Sequence, residues 1–345
     1  MKINRGQIPI KFSEHTAGAA LAVFAASLWG VSGACAQYVF EQKGISIDWL
    51  VTVRLLIAGV LLLAYARLHH PSQWLAIWHT AHDAKQLLAF GVLGMLGVQY
   101  TYFAVIEHSN AAVGTVLQYL GPTVIAVYLT VAHKRWPMRH ELAAIVLALV
   151  GTLLLVTHGE LGVLQISTEA MFWGLSSALA LAFYTVQPVE LLKRHDSAVV
   201  VGWGMLVGGL AYVGWSQPWS VPGQWDIGTW AAVVFIVVMG TLVPFYCYLL
   251  AVKKIGPQQT SLYACAEPLS AALVSVLWLG VAFGWMDVLG SMCIVLTIYI
   301  LSKQSNNRGQ IPINSLLPPR RPRPPLIATL WQCSLRGQAR RDGHS

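Results

Sequence analysis

Glu267 is followed directly by a proline and sits inside an apolar run from Gln259 to Leu279. A charged side chain at the centre of a bilayer costs about 2.5–3.5 kcal/mol on insertion scales, so an acid in such a run needs a reason. Counted from Gln259 at ~1.5 Å per residue, Glu267 lies about 12 Å deep, near a membrane midplane. Pro268 removes a backbone donor and frees a carbonyl one turn back, near Ala264, which must find a partner in the surrounding protein or a wet cavity. The carboxyl group has three uses: to carry a proton, to bind a cationic substrate group, or to stay neutral and lock two helices.

Arg54 falls five residues past Trp49 in another apolar run. Its side chain either snorkels outward or presents a guanidinium to a substrate carboxylate or an acidic neighbour. Gln37, Gln99, Gln118 and Gln187 are costly to leave unpaired in hydrocarbon, and serve either substrate or helix association. Trp29, Tyr100, Tyr119, Phe183, Tyr184, Tyr246 and Tyr263 gather at similar depth, where rings line apolar pockets and face cations. Tyr119 and Tyr263 stand closest in sequence to Pro122 and Pro268, the two expected helix breaks. Glu190, close to Lys193 and Arg194, reads as a local ion pair.

These groups need a scaffold, and composition names it. With 56% hydrophobic and 10% charged residues, the chain has too little polar surface for a soluble globule of its length. Ten apolar segments are predicted as membrane helices, roughly 16–40, 49–68, 86–106, 111–132, 142–156, 170–192, 199–215, 230–252, 259–279 and 286–301, the fifth and tenth being short. Trp49, Trp136, Trp215, Trp219, Trp225, Trp230 and Trp285 fall at segment ends, as interfacial anchors should. All 22 lysines and arginines except Lys43 and Arg54 lie in alternate gaps or beyond the last segment. Positive residues stay cytoplasmic, which predicts a multi-pass protein of the inner (plasma) membrane with both termini inside. The net charge of +8 then meets anionic lipid, not nucleic acid.

Five helices per half force the second half to enter the membrane upside down. One constant offset superimposes Tyr102 on Tyr248 and Pro122 on Pro268, a weak trace of duplication. The expected fold is all-α, ten transmembrane helices as two inverted five-helix repeats. The expected divisions are an N-terminal cytoplasmic segment 1–15, repeats 16–158 and 167–302, and a disordered, basic, Pro-rich cytoplasmic tail 303–345. Inverted repeats are a signature of secondary transporters, with substrate held at the midplane between the halves.

The ordered set Leu28-Trp29-Gly30, Arg54, Gly121-Pro122 and Glu267-Pro268 resembles the drug/metabolite transporter superfamily, in its ten-helix branch with two EamA domains. The resemblance covers about Ala19 to Ser302 and implies movement of a metabolite or amino acid, often export. The acid that usually closes the fourth and ninth helices of that family is replaced here by His133 and Val281.

A signal-peptide reading of the first segment, suggested by Ala34-Cys35-Ala36, is disfavoured because the apolar run continues past that point. The five cysteines show no metal spacing and no paired pattern. No phosphate-cradling Gly-Lys-Ser/Thr loop is present, and His79, His82 and Asp83 read as a solvated loop. Asn307–Ile313 repeats Asn4–Ile10 without change, for which a local DNA duplication or cloning scar is the expected origin.

The sequence therefore points to a secondary transporter, not an enzyme, without cofactor or metal, exporting a small organic metabolite such as an amino acid or amine. Its expected central cavity is lined by the first, third, fourth, sixth, eighth and ninth helices. The site candidates are Glu267, Arg54, Gln118, Gln99, Tyr119, Tyr263 and Trp29, with Pro122 and Pro268 as helix breaks. Partners are the small-molecule substrate and the bilayer, a proton is a candidate coupling ion, and the unit is a monomer or homodimer. The alternative is a non-transporting membrane protein, a lipid-modifying enzyme or sensor. Cysteines placed at Gly44, Ser109 and Gly223 should react with an impermeant thiol reagent applied outside cells and one at Ser72 should not; outside labelling at Ser72 would contradict the predicted orientation.

Overall fold

The computed structural model describes residues 14–69, 71–109, 111–133, 137–160, 162, 167–279 and 284–307. Lys134, Arg135, Trp136, Val281, Cys333, the copy at Asn4–Ile10 and all of the tail beyond Asn307 lie outside the described residues. The described chain is helical, without strands: α1 (Glu14–Glu41), α2 (Ile47–His69), α3 (Ala81–His108), α4 (Ala111–Gln118 and Gly121–His133) and α5 (Arg139–Thr157) form the first half. The second half is α6 (Thr168–Arg194), α7 (Ser197–Ser216), α8 (Ile227–Ile255), α9 (Pro257–Tyr263 and Ala266–Leu279) and α10 (Trp285–Asn307).

Nine of these helices are individually long and apolar enough to cross a membrane among the described residues; α9 is in two shorter pieces. Neither α5 nor α10 is short, and α10 runs on through Lys303 to Asn307, where an unstructured tail was expected. Leu68, Leu93, Val131, Leu179, Leu210 and Leu277 are exposed, the inverse of a water-soluble surface. Helix starts are sealed by side chains: Ser167, Asp196 and Asp226 accept from the backbone N–H of Ala170, Ala198 and Thr229. Gly256, with φ of 82°, turns α8 into α9 in a single residue, and Pro257 opens the next helix.

Helix pairing repeats between the halves. α1 packs on α8 and α9 while α6 packs on α3 and α4; α2 pairs with α7, and α5 with α10. When each helix is exchanged for its counterpart in the other half, α2–α7 and α5–α10 map onto themselves, and α1 on α8 and α9 maps onto α6 on α3 and α4. The offset that matches Tyr102 to Tyr248 also carries Leu96 to Leu242, and each of these leucines ends a wide π-type turn, Phe90–Leu96 in α3 and Val238–Leu242 in α8. α4 and α9 are both broken shortly before the matched prolines, at Tyr119-Leu120 and at Ala264-Cys265. The duplication is thus written more plainly in backbone irregularities than in residue identity.

Two polar clasps close the ends of the bundle. On one side, Lys43 between α1 and α2 bonds Asp226 at 2.7 Å, and Gln224 N–H donates to the Lys43 carbonyl. Lys43 and the Thr229 N–H hold the Asp226 carboxyl well below the usual carboxylate range. Because that value is depressed, both partners stay charged through neutral pH and the carboxylate is protonated only in acid. On the other, Asp83 at the start of α3 accepts from Arg194 Nη2 and pairs with His195 Nε2, both at 2.8 Å. His79 and His82 are exposed as expected, but Asp83 is buried, so the solvated reading is corrected for it. The sequence offered no partner for it because Arg194 and His195 come from the other half. Glu190 pairs with Lys193 and Arg194 as expected. Trp49 is no lipid-facing anchor: it is buried edge-on against Trp225, and its Nε1 donates to the Pro218 carbonyl. Trp215, Trp219, Trp230 and Trp285 are exposed.

Glycine brings helix axes close enough for these contacts. Where α5 crosses α10, a Cβ on Gly151 would lie 2.9 Å from the Gly290 carbonyl oxygen, and one on Gly290 would lie 2.9 Å from the Gly151 oxygen. Gly151→Val should therefore lower stability by about 1–3 kcal/mol, the range for overpacking. An unchanged thermal denaturation midpoint in detergent would contradict this crossing.

Candidate functional site

Glu267 and Tyr119 meet where the break in α9 faces the break in α4. Pro268 cannot donate to the Ala264 carbonyl, and two other groups fill the gap. The Glu267 N–H reaches that oxygen at 3.0 Å and the Tyr119 hydroxyl donates to it at 2.9 Å. The same hydroxyl lies 3.1 Å from Glu267 Oε2. Tyr119 is buried and Glu267 partly so. α1 closes on this point through Gly30, where an added Cβ would sit 2.6 Å from the Glu267 carbonyl oxygen, and through Ser270, whose hydroxyl lies 3.2 Å from the Ser27 carbonyl oxygen. Glycine within Leu28-Trp29-Gly30 is thus required by close approach to the broken helix.

Arg54 is buried rather than snorkelling. Its Nε donates to Gln99 Oε1, Gln99 in turn donates to the Met95 carbonyl, and the guanidinium lies 5.2 Å from the centre of the Phe103 ring. No acidic side chain pairs with it among the described residues. The sequence named Gln99 but missed Phe103, one turn further along the same face of α3. Tyr102 lies within electrostatic reach of both Arg54 and Glu267, and its hydroxyl is 3.1 Å from Thr115 Oγ1 in α4. It was legible only as a repeat match, and its contact with Thr115 depends on how α3 and α4 fold against each other.

The remaining candidates divide. Gln118 donates to Ser177 of α6 at 2.9 Å, fixing α4 against α6. Trp29 packs edge-on against Phe245 and tilted on Tyr248, and its Nε1 has no hydrogen-bond partner among the described residues. Tyr263 does not join Glu267: its ring faces His15 and its buried hydroxyl is unpartnered among the described residues. Tyr184 stacks on Tyr248, Tyr100 packs against Trp173 and Tyr212, and Gln187 donates to the Gln86 carbonyl. Gln37 is spent on Glu41. Cys35, Cys247, Cys265 and Cys293 are unpaired, and no set of three metal-ligating side chains occurs among the described residues.

The EamA-like transporter model matches residues 16–157 and again 168–303. The chain belongs to the EamA-like transporter family. This EamA protein is 41% identical over 292 residues to the inner membrane transporter YicL of Salmonella typhimurium, covering 84% of this chain and 96% of that one. The transporter YyaM of Bacillus subtilis is 22% identical over 230 residues, covering 64% and 73%. A solved crystal structure shares the EamA protein's fold at a TM-score of 0.70, with 16% identity over 84% of this chain and 98% of that one. The EamA protein is accordingly a multi-pass membrane transporter of the drug/metabolite superfamily, built from two repeats.

Gln99→Leu should remove the acceptor from a buried guanidinium and lower stability by about 1.5–3 kcal/mol. Replacing Arg54 by Leu as well should restore part of that loss, because both polar partners are then gone. A Gln99→Leu protein as heat-stable as wild type would show that Gln99 does not hold Arg54.

Proposed function

We propose that this transporter exports a small organic metabolite, such as an amino acid or amine, across the inner membrane by alternating access. Two inverted five-helix halves make ten crossings, with α9 crossing despite its break and both termini cytoplasmic. The observation that carries the proposal is the contact of Glu267 with Tyr119, an intramembrane acid on a proline-broken helix held by the opposite half. A group at that junction feels any movement of one half against the other, and discontinuous helices are where secondary transporters bind substrate and coupling ions.

The charge pattern supports the substrate class. The Arg54 Nη groups have no partner among the described residues, which suits a carboxylate. Glu267 suits an ammonium or a proton, and the rings of Trp29 and Tyr119 suit the apolar body between them. The two clasps, Lys43–Asp226 and Asp83–Arg194, join the halves at opposite ends of the bundle, where alternating gates belong. The name of the Salmonella relative supports both the inner membrane and transport over the alternative of a lipid-modifying enzyme or sensor. One bundle holds all these groups, so a monomer suffices for transport, whether or not it pairs as a homodimer.

Comparison of intracellular and extracellular metabolites in cells with and without the gene identifies the cargo. With that cargo in reconstituted vesicles under an imposed pH gradient, Glu267→Gln should keep expression and reduce concentrative transport at least about tenfold, equivalent to ~1.4 kcal/mol or more of lost charge-assisted contact. Transport at the wild-type level by the glutamine variant would leave Glu267 a structural lock.

A further inference from the structure

The Tyr119 hydroxyl has one proton and two oxygens to give it to, Ala264 O at 2.9 Å and Glu267 Oε2 at 3.1 Å. The protonation state of Glu267 decides between them. An ionised carboxylate can only accept, and it draws the Tyr119 hydrogen bond because a hydrogen bond to a charged acceptor is the stronger. The Ala264 carbonyl then keeps only the N–H of Glu267. A protonated carboxyl group becomes a donor, its O–H turns onto the Tyr119 oxygen, and the Tyr119 O–H turns to the Ala264 carbonyl. No proton crosses from tyrosine to glutamate; the Tyr119 O–H rotates, and the proton gained or lost by Glu267 comes from or returns to the aqueous side.

We propose that Tyr119 is the positioning residue of the Glu267 site, reporting the occupancy of that acid to the backbone break of α9 by moving its single hydrogen bond between carboxylate and carbonyl. This rests on reading Glu267 as the coupling group. The break is where such a signal can act, since Ala264 and Cys265 interrupt α9 and the carbonyl concerned has lost its helical donor to Pro268. The titratable groups facing Glu267 are Tyr102 of α3, Tyr119 of α4, Tyr248 of α8 and Cys265 of α9 itself. α1 presents Gly30 and Ser27 there, and no titratable group of α5 or α10 is in hydrogen-bond contact with Glu267 among the described residues. Tyr119 alone among these bonds the carboxyl group. The matched position in α4 is Gly121, so the first half carries no acid at that position.

Infrared difference spectroscopy of the full-length protein in lipid reads this without any substrate. Titration from roughly pH 5 to 9 should show a carboxylic-acid C=O band that disappears with rising pH and is absent from Glu267→Gln. Tyr119→Phe should keep that band, raise its frequency, and move its midpoint about one to two pH units higher, because the carboxylate has lost its donor. In wild-type protein with isotope-labelled tyrosine, a tyrosine C–O band should shift at the same midpoint, and should stay fixed in Glu267→Gln. Titration of Tyr119→Phe at the wild-type midpoint would overturn the proposal, and so would a tyrosine band indifferent to the carboxyl group. If wild type shows no titrating carboxyl band, Glu267 itself carries no exchangeable proton and Tyr119 has no proton signal to report.

Discussion

Every backbone polar group inside the hydrocarbon slab must be partnered by the protein itself, and the arrangement around α9 depends on that constraint. Pro268 breaks the helix and costs Ala264 its usual donor. A side chain from the other half supplies the replacement, which makes local backbone satisfaction a matter of how the two halves meet. A related cost falls on buried polar side chains such as Arg54, whose Nε is held by Gln99 and whose face lies on Phe103. It explains Tyr102 on Thr115 and Tyr248 on Thr185, matched tyrosines that each find a threonine, though on non-matched helices. Polar contacts in lipid are modest individually, so their value here is in fixing relative position.

Close helix packing makes those contacts reachable. Gly30 lets α1 lie on the Glu267 backbone, and the Gly151–Gly290 crossing binds α5 to α10 as self-equivalent partners. The pairing of α2 with α7 and of α5 with α10 therefore joins the halves at their flanks, while α1, α3, α4, α6, α8 and α9 meet at the centre. A flank that is tightly packed and a centre that is broken and polar suit the proposed rocking of one half against the other.

Much of this was legible in the sequence because membrane helices obey simple rules of length and charge. Apolar length located nearly every helix, and the proline after Glu267 located the break and its orphan carbonyl. What could not be read was partnership. Nothing in the spacing of Tyr119 told that its hydroxyl would reach Ala264 and Glu267 rather than line a pocket. Tyr263, an equally good candidate by position, turned toward His15 instead. Asp83 looked like a loop residue because its partners, Arg194 and His195, lie in the other half. The π-type turns of α3 and α8 left no residue signature, since a wide turn needs only one extra residue in an otherwise ordinary helix.

The central claim is that the two halves move against each other, opening one clasp as the other closes. Pulsed electron paramagnetic resonance in lipid tests it directly, with one spin-label pair at Glu41 and Gln217 across the Lys43–Asp226 end and another at His82 and Lys193 across the Asp83–Arg194 end. The account predicts two distance populations at each end that vary in opposite senses, the long distance at one end rising with the short distance at the other, as pH is changed. Distances that stay fixed at both ends, or lengthen together, would contradict it.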